Sequence, residues 1–463
     1  MTVKLVPHFI GGEPATPAGE PSSLVKNPAT GQALASVASA TPAELERAVA
    51  AAGEAFTAWS QASLAKRTGV LFRFRDLLAQ AADDLAKIVS REQGKVLSDA
   101  KGEVARGLEV VEFACGVPEL MKGAFSGQVA TGLDVTSWRE PLGVVAGITP
   151  FNFPVMVPLW MSPVAIATGN AFLLKPSPQD PSASLALADL WTKAGAPAGV
   201  FQVLQGGADT VNAILGHPAI RAVSFVGSTP VARHIHSTAT AAGKRVQALG
   251  GAKNHAVVLR DADAEFASSS VVSAAFGAAG QRCMALSVVL VEDSVADEFV
   301  ARVKAKAEAV RVSHGADPAA DMGPVISPAA RDRVEQIVTE AVDDGARAVL
   351  DGRGFRPAGL EDGFFTGPTV LDQVTPQMRA YREEIFGPVL AVVRVAGLAE
   401  AVELINANPY GNGTAIYTSS GAAAREFKRA VKVGMIGVNV PIPVPVAYHS
   451  FGGWKDSLIG DFH

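Results

Sequence analysis

The stretch Leu142-Gly143-Val144-Val145-Ala146-Gly147-Ile148-Thr149-Pro150-Phe151-Asn152-Phe153-Pro154 opens the part of the chain that decides the fold. Val144 to Ile148 is a short apolar run between a glycine and a proline, and reads as a strand buried on both faces. Similar runs return at Ala171 to Leu174, Val200 to Leu204 and Ala222 to Val226. A helix around Ser184 to Lys193 ends at Gly195 and Pro197. Short apolar strands separated by helices predict a parallel sheet with helices on both faces.

Working outward, the first forty residues read as short strands and turns punctuated by Gly11-Gly12, Pro14 and Pro17. Thr41, Pro42 and Glu44 then form a helix start with a capping box. Helical periodicity continues, with breaks, to about Cys115. Ala124 to Trp138 reads as an extended hairpin. Further on, strands are predicted at Val257 to Arg260, Val288 to Val291, Ala348 to Leu350 and Leu390 to Val395. Helices around Ala264 to Ala279, Val295 to Val310 and Pro328 to Asp344 separate them. Val438 to Pro445 alternates Val and Pro, as a surface or edge segment does. No internal repeat or low-complexity tract interrupts the pattern.

The 463 residues suit two or three domains with ample core. The net charge is −5 with both signs dispersed, so no basic block marks a nucleic-acid or anionic membrane surface. Small molecules are the expected partners. The two cysteines, Cys115 and Cys283, exclude a disulfide framework and point to a reducing compartment. The N-terminus lacks the apolar run of a secretory signal. The longest apolar stretch, Pro154 to Ala167, carries three prolines and is too short for a bilayer. A cytoplasmic enzyme is expected.

Cys283 stands in Gly280-Gln281-Arg282-Cys283-Met284, between an Ala- and Gly-rich helix and a β-branched strand. Thiolate is the reactive form of cysteine, favoured by helix ends and by cations such as the adjacent Arg282. Taken alone, such a cysteine is more often a buried structural residue. Cys115, after Val110, Val111, Phe113 and Ala114, fits that description. Asn152 follows a strand end, where a side-chain amide can donate to a developing oxyanion. A lone Asn more often satisfies a turn. Gly227-Ser228-Thr229 follows a strand and opens a helix, which suits a pyrophosphate, although it is not the G-x-G-x-x-G fingerprint. Lys175-Pro176-Ser177 ends another strand, where ligands gather in open α/β sheets. Glu383-Glu384-Ile385-Phe386-Gly387-Pro388 by itself is an acidic helix end and turn. His234 and His236 are two apart on a predicted helix and face apart, and no catalytic metal is expected.

Taken together and in this order, these motifs resemble the aldehyde dehydrogenase superfamily, from about Val25 to Gly460. The nearer likeness is to its CoA-acylating branch, the methylmalonate-semialdehyde dehydrogenases. Pro150-Phe151-Asn152-Phe153-Pro154, Gly251-Ala252-Lys253-Asn254-His255 and Gln281-Arg282-Cys283-Met284-Ala285 carry it. The resemblance implies an α/β fold with a Rossmann-type cofactor domain, an α/β catalytic domain and a small β oligomerisation element. The expected domain limits are 1–118 with 138–247, then 248–432, and 119–137 with 433–463. It implies that Cys283 attacks the aldehyde while the Asn152 amide and the Cys283 N–H hold the oxyanion. Lys175 would contact the adenosine ribose of NAD, with Ser177, Phe151 and Leu249 nearby. Gly227 and Ser228 would take the pyrophosphate, and Glu384 and Phe386 the nicotinamide ribose and ring.

One departure is informative. Hydrolytic members carry the glutamate of an E-L-G-G-K motif, which activates water against the thioester. The matching stretch is Gln247-Ala248-Leu249-Gly250-Gly251-Ala252-Lys253, with Ala248 read at the glutamate's place. The resemblance then implies transfer of the acyl group to coenzyme A. Arg106 and Arg282 are the expected holders of a substrate carboxylate, since guanidinium binds carboxylate bidentately. Expected products are acetyl-CoA from malonate semialdehyde or propanoyl-CoA from methylmalonate semialdehyde, in valine or inositol catabolism. Pro178 replaces a glutamate that would repel a 2′-phosphate, so NADP is not excluded. Dimers pairing into a homotetramer are expected, with a short C-terminal tail after Trp454-Lys455. The alternatives are a hydrolytic NAD(P)-dependent aldehyde dehydrogenase and a non-catalytic family member that binds or scaffolds.

Overall fold

A computed structural model describes residues 3–462. Its core is two mostly parallel sheets with helices against them. The first sheet has eight strands in the order Glu13–Ala15, His8–Ile10, Phe201–Val203, Ala171–Lys175, Val144–Ile148, Ile220–Val226, Arg245–Leu249, Leu458–Gly460. The five central strands are parallel, and each outer strand pairs antiparallel with its neighbour. Val144–Ile148 and Ala171–Lys175 are buried throughout, which is why they read as continuous apolar runs. From Val144–Ile148 the order runs one way to Ala171–Lys175 and the other way to Ile220–Val226. That reversal opens a crevice at the strands' carboxyl ends, flanked by the Thr149–Phe153 loop and the Gly227-Ser228 turn.

The second sheet has seven strands, with Asn254–Val258 between Leu286–Glu292 and Gly413–Tyr417. Sequence periodicity located four of them. The short strands Thr369–Asp372 and Met435–Val438, and Gly413–Tyr417, lie beyond what it located.

The predicted capping box is present: the Thr41 hydroxyl accepts from Glu44 N, and the Glu44 carboxylate accepts from Thr41 N. Helices Pro42–Trp59, Leu64–Gln80, Ala82–Gln93 and Leu97–Cys115 follow. Leu97–Cys115 packs along Met156–Ala167, the apolar prolyl stretch. Buried Trp59 donates from Nε1 to the Ile166 carbonyl at 2.9 Å, and Trp191 stacks on Phe74. Among the described residues no helix is long and apolar enough to cross a membrane.

Residues 433–463, expected with the hairpin as one small element, are divided. Met435–Val438 is the edge strand of the second sheet, and Leu458–Gly460 closes the first against Arg245–Leu249. Each covers an otherwise unpaired sheet edge. The limit drawn at 247/248 falls inside the strand Arg245–Leu249, and the chain crosses between sheets at 250–253. Ser457 stitches that crossing: its carbonyl accepts from Gly250 N, and its hydroxyl donates to the Gly251 carbonyl at 2.8 Å. The hairpin of Ala124–Ala130 and Leu133–Ser137 is exposed at every strand residue.

Candidate active site

Cys283 lies just past a strained turn. The helix Ala264–Phe276 gives way to Gly277–Gly280, where Ala278 and Ala279 hold φ of 49° and 52°. Such values are rare for residues with a Cβ, and persist where surroundings fix them. Gly280, at φ 69°, is required: a Cβ there would lie 2.1 Å from the Gly387 carbonyl. This close approach seats the Cys283 turn against the Glu384-Ile385-Phe386 turn. The Cys283 carbonyl accepts from Asn254 Nδ2 at 2.9 Å and Asn412 Nδ2 at 3.1 Å.

The thiol is half-buried in a cavity of about 270 Å³ whose wall includes Lys95, Asp99, Arg106, Phe153, Trp160 and Arg282. Burial pushes the Cys283 thiol up to about 12, and the Glu384 carboxylate adds to the rise. The backbone N–H groups of Cys283 and Met284, and the Lys95 ammonium, oppose it. The sequence reading credited Arg282 with favouring the thiolate. Arg282 pairs with Asp99 at 2.6 Å, and Lys95 is the cation with the larger pull on the thiol. Cys115 is buried at a helix end, and burial raises its thiol to about 11.

Asn152 is buried in the loop after Val144–Ile148. Its carbonyl accepts from Lys95 Nζ at 2.6 Å, and the same ammonium pairs with Glu103 at 2.7 Å. Glu103 also accepts from Val155 N and Met156 N. Lys95 further lies 4.2 Å from the Phe153 ring centroid, within cation–π range.

Around the crevice, Lys175 is buried with one long contact, 3.4 Å, to the Gly206 carbonyl. Burial lowers its ammonium to about 8. A buried cation so poorly satisfied has capacity for a further acceptor. Ser177 is buried beside it and accepts from Gln179 N. Ser228 caps the helix Thr229–Ala241 without a side-chain bond, leaving first-turn N–H groups available. Glu384 accepts from Ala252 N at 3.0 Å, and burial pushes its carboxyl up to about 7 against the pull of Lys253 and Arg333. Phe386, at φ 58°, sets its ring edge-on to Phe151 at 5.8 Å. These donors, the carboxylate and the ring pair fit an extended dinucleotide. Among the described residues no group of three His, Cys, Asp or Glu is arranged to hold a metal ion.

Ala248 is corrected by the strand it occupies. Neighbours on a strand face opposite ways. Ala248 packs with Ile148 and Phe225, whereas Leu249 belongs to the apolar cluster that holds Met284 and packs Cys283. Leu249 is also four residues before Lys253, the spacing of glutamate and lysine in E-L-G-G-K. Leu249, not Ala248, stands on the Cys283 side, and neither can accept a proton. The sequence reading missed Lys95, Asp99, Glu103, Asn254 and Asn412. The Gly251 to His255 motif did contain Asn254. Lys95, Asp99 and Glu103 sit in an ordinary-looking charged helix start.

Comparison with known proteins shows the family of the chain. Residues 16–463 match the model of the aldehyde dehydrogenase family. A malonate-semialdehyde dehydrogenase of Pseudomonas aeruginosa is 52% identical over 98% of this chain and 92% of its own length. One from Bacillus pumilus is 45% identical, covering 100% of this chain and 95% of that protein. A methylmalonate-semialdehyde dehydrogenase structure from Oceanimonas doudoroffii superposes with a TM-score of 0.98 at 49% identity, covering 100% and 94%. A structure from Sinorhizobium meliloti 1021, described under the same activity and complexed with NAD, gives 0.98 at 46%, also covering 100% and 94%. The chain is an enzyme of the aldehyde dehydrogenase family.

Proposed function

We propose that the protein oxidises malonate semialdehyde or methylmalonate semialdehyde through a Cys283 thioester and passes the acyl group to coenzyme A. The observation that carries this reading is the wall of the Cys283 cavity. Arg106 and Arg282 line it together with the thiol, and the residue on the sulfur's side at the E-L-G-G-K position is Leu249. Two guanidinium groups suit a carboxylated aldehyde, and a leucine cannot activate water.

In this reading the Cys283 sulfur bonds to the aldehyde carbon, and the carbonyl oxygen takes the electron pair. The Asn152 amide and the Cys283 N–H hold that oxyanion. Lys175, Ser177, Gly227, Ser228, Glu384, Phe386, Phe151 and Leu249 would hold NAD, which supplies a hydride acceptor when bound. With Pro178 in place of a carboxylate, NADP is also admitted. The bond to the substrate carboxylate then breaks, its electrons pass toward the thioester carbonyl, and a proton returns to carbon. The CoA thiol takes the acyl group and Cys283 leaves as thiolate. Products are acetyl-CoA or propanoyl-CoA, carbon dioxide and NADH, in valine or inositol breakdown.

The exposed hairpin supports assembly. A lone two-stranded hairpin is marginal in water, and Phe125, Val129, Leu133 and Val135 are exposed on this one. A homotetramer of paired dimers covers such surfaces, in a cytoplasmic enzyme.

The test is turnover of malonate semialdehyde with and without CoA, using NAD and NADP in parallel. NADH beyond one equivalent per site should require CoA. Sustained turnover without any thiol acceptor favours the hydrolytic alternative and rejects this reading.

A further inference from the structure

Asp99 opens the helix Leu97–Cys115, where an acidic residue ordinarily does no more than favour the helix dipole. Here its carboxylate reaches out of its own helix. One oxygen takes Arg282 Nη2 at 2.6 Å, and the other accepts from Ala278 N at 2.9 Å. Both partners belong to the turn that delivers Cys283, and Ala278 is one of its two left-handed alanines. A single carboxylate thus joins the first helical layer to the nucleophile's turn, across 179 residues of sequence.

The guanidinium has a prepared seat. A Cβ on Gly277 would lie 2.4 Å from Arg282 Nη1 and 2.7 Å from Cζ, so Arg282 lies flat over a backbone with no side chain. Asp99 uses one nitrogen of the fork. Among the described residues no other acceptor takes an Arg282 N–H, and Arg282 borders the Cys283 cavity. Asp99 and Arg106 are seven residues apart, hence on one helix face, and both line that cavity. Two turns of helix, about 10 Å, separate them. Arg106 is itself anchored, to Glu109 and to the Pro445 carbonyl at 2.6 Å.

We propose that Asp99 is a positioning residue for substrate selection: it clamps one edge of the Arg282 guanidinium and leaves the rest of the fork to receive the substrate carboxylate. This rests on the reading that Arg282 binds that carboxylate. A guanidinium free to swing pays orientational entropy on binding, and a clamped fork does not. The preference for a carboxylated aldehyde therefore depends on a residue that need not touch the substrate.

The test compares kcat/KM for malonate semialdehyde with that for propanal, which has the same number of carbons and no carboxylate. Asp99→Asn keeps an oxygen for Ala278 N–H but gives Arg282 no charge. The ratio should fall about tenfold, through KM for the semialdehyde. Asp99→Glu should recover part of it. An equal loss on both substrates would overturn the proposal, since that is what a purely structural tether gives. In an Arg282→Gln background, Asp99→Asn should leave the ratio where Arg282→Gln put it, and a further fall overturns the proposal. Should Asp99→Asn not fold, Gly277→Ala displaces the guanidinium at a position whose φ of −54° accepts alanine, and the same fall is expected. A ratio unmoved by Arg282→Gln itself would reject the carboxylate reading, and the role of Asp99 with it.

Discussion

Lys95 grips the loop that presents Asn152: its ammonium donates to the Asn152 carbonyl at 2.6 Å while paired with Glu103, both side chains being almost fully buried. Glu103 in turn accepts from Val155 N and Met156 N, so one ion pair holds the loop on both sides of Phe153. Glu103→Ala leaves a buried ammonium without its counter-charge and should cost about 3–5 kcal/mol. Thermal unfolding checks this. Lys95→Met combined with Glu103→Leu should recover only part of the loss: neither charge of the pair is left alone, but the Val155 and Met156 N–H groups lose their acceptor.

Asn152→Ala should lower kcat by roughly 10²–10³, the usual effect of losing one oxyanion donor. Iodoacetamide should still alkylate Cys283 in this variant. That result separates a missing donor from a disrupted turn.

The pH dependence of Cys283 follows from its surroundings. Its thiol is raised to about 12, so below that pH it is mainly neutral. Alkylation of the cofactor-free enzyme should therefore keep rising from pH 7 to 10. A plateau near pH 8 would contradict the burial argument. Glu384 titrates near 7, and only its ionised form repels a thiolate. Glu384→Gln should speed alkylation above pH 7 and change little below pH 6.

Pro178 offers a cofactor test. Pro178→Glu places a carboxylate two residues from the Pro176 turn, where it should repel a 2′-phosphate. The kcat/KM for NADP relative to NAD should fall about tenfold or more. Parallel initial rates with the two dinucleotides measure it.

Much of this was legible in the sequence where local chemistry repeats. Val144–Ile148 and Ala171–Lys175 are apolar because both faces are buried, and Thr41 to Glu44 spells its own cap. The order of motifs around Asn152, Gly227 and Cys283 pointed to the family that the chain belongs to. Partners 50 to 200 residues apart left no such trace. Lys95, Asp99 and Glu103 look like any charged helix start, and only folding aims them at Asn152, Arg282 and Met156. Register was equally invisible. One residue of slip exchanges the faces of a strand, which is how Ala248 stood in for Leu249.

The stitch made by Ser457 sets an order of events in synthesis. Its hydroxyl and carbonyl fix the crossing at Gly250 and Gly251, 206 residues earlier, and it also receives Gly411 N. A nascent chain emerging N-terminal end first can form most of both sheets before this residue leaves the ribosome. The crossing beside Leu249 and Glu384 is already tied from Gly251 N to the Thr229 hydroxyl at 2.8 Å and from Ala252 N to Glu384 at 3.0 Å, and Ser457 adds the ties from the far end of the chain. The surroundings of Cys283 are thus completed by contacts between segments far apart in the chain, and each such contact waits for the later segment to be made.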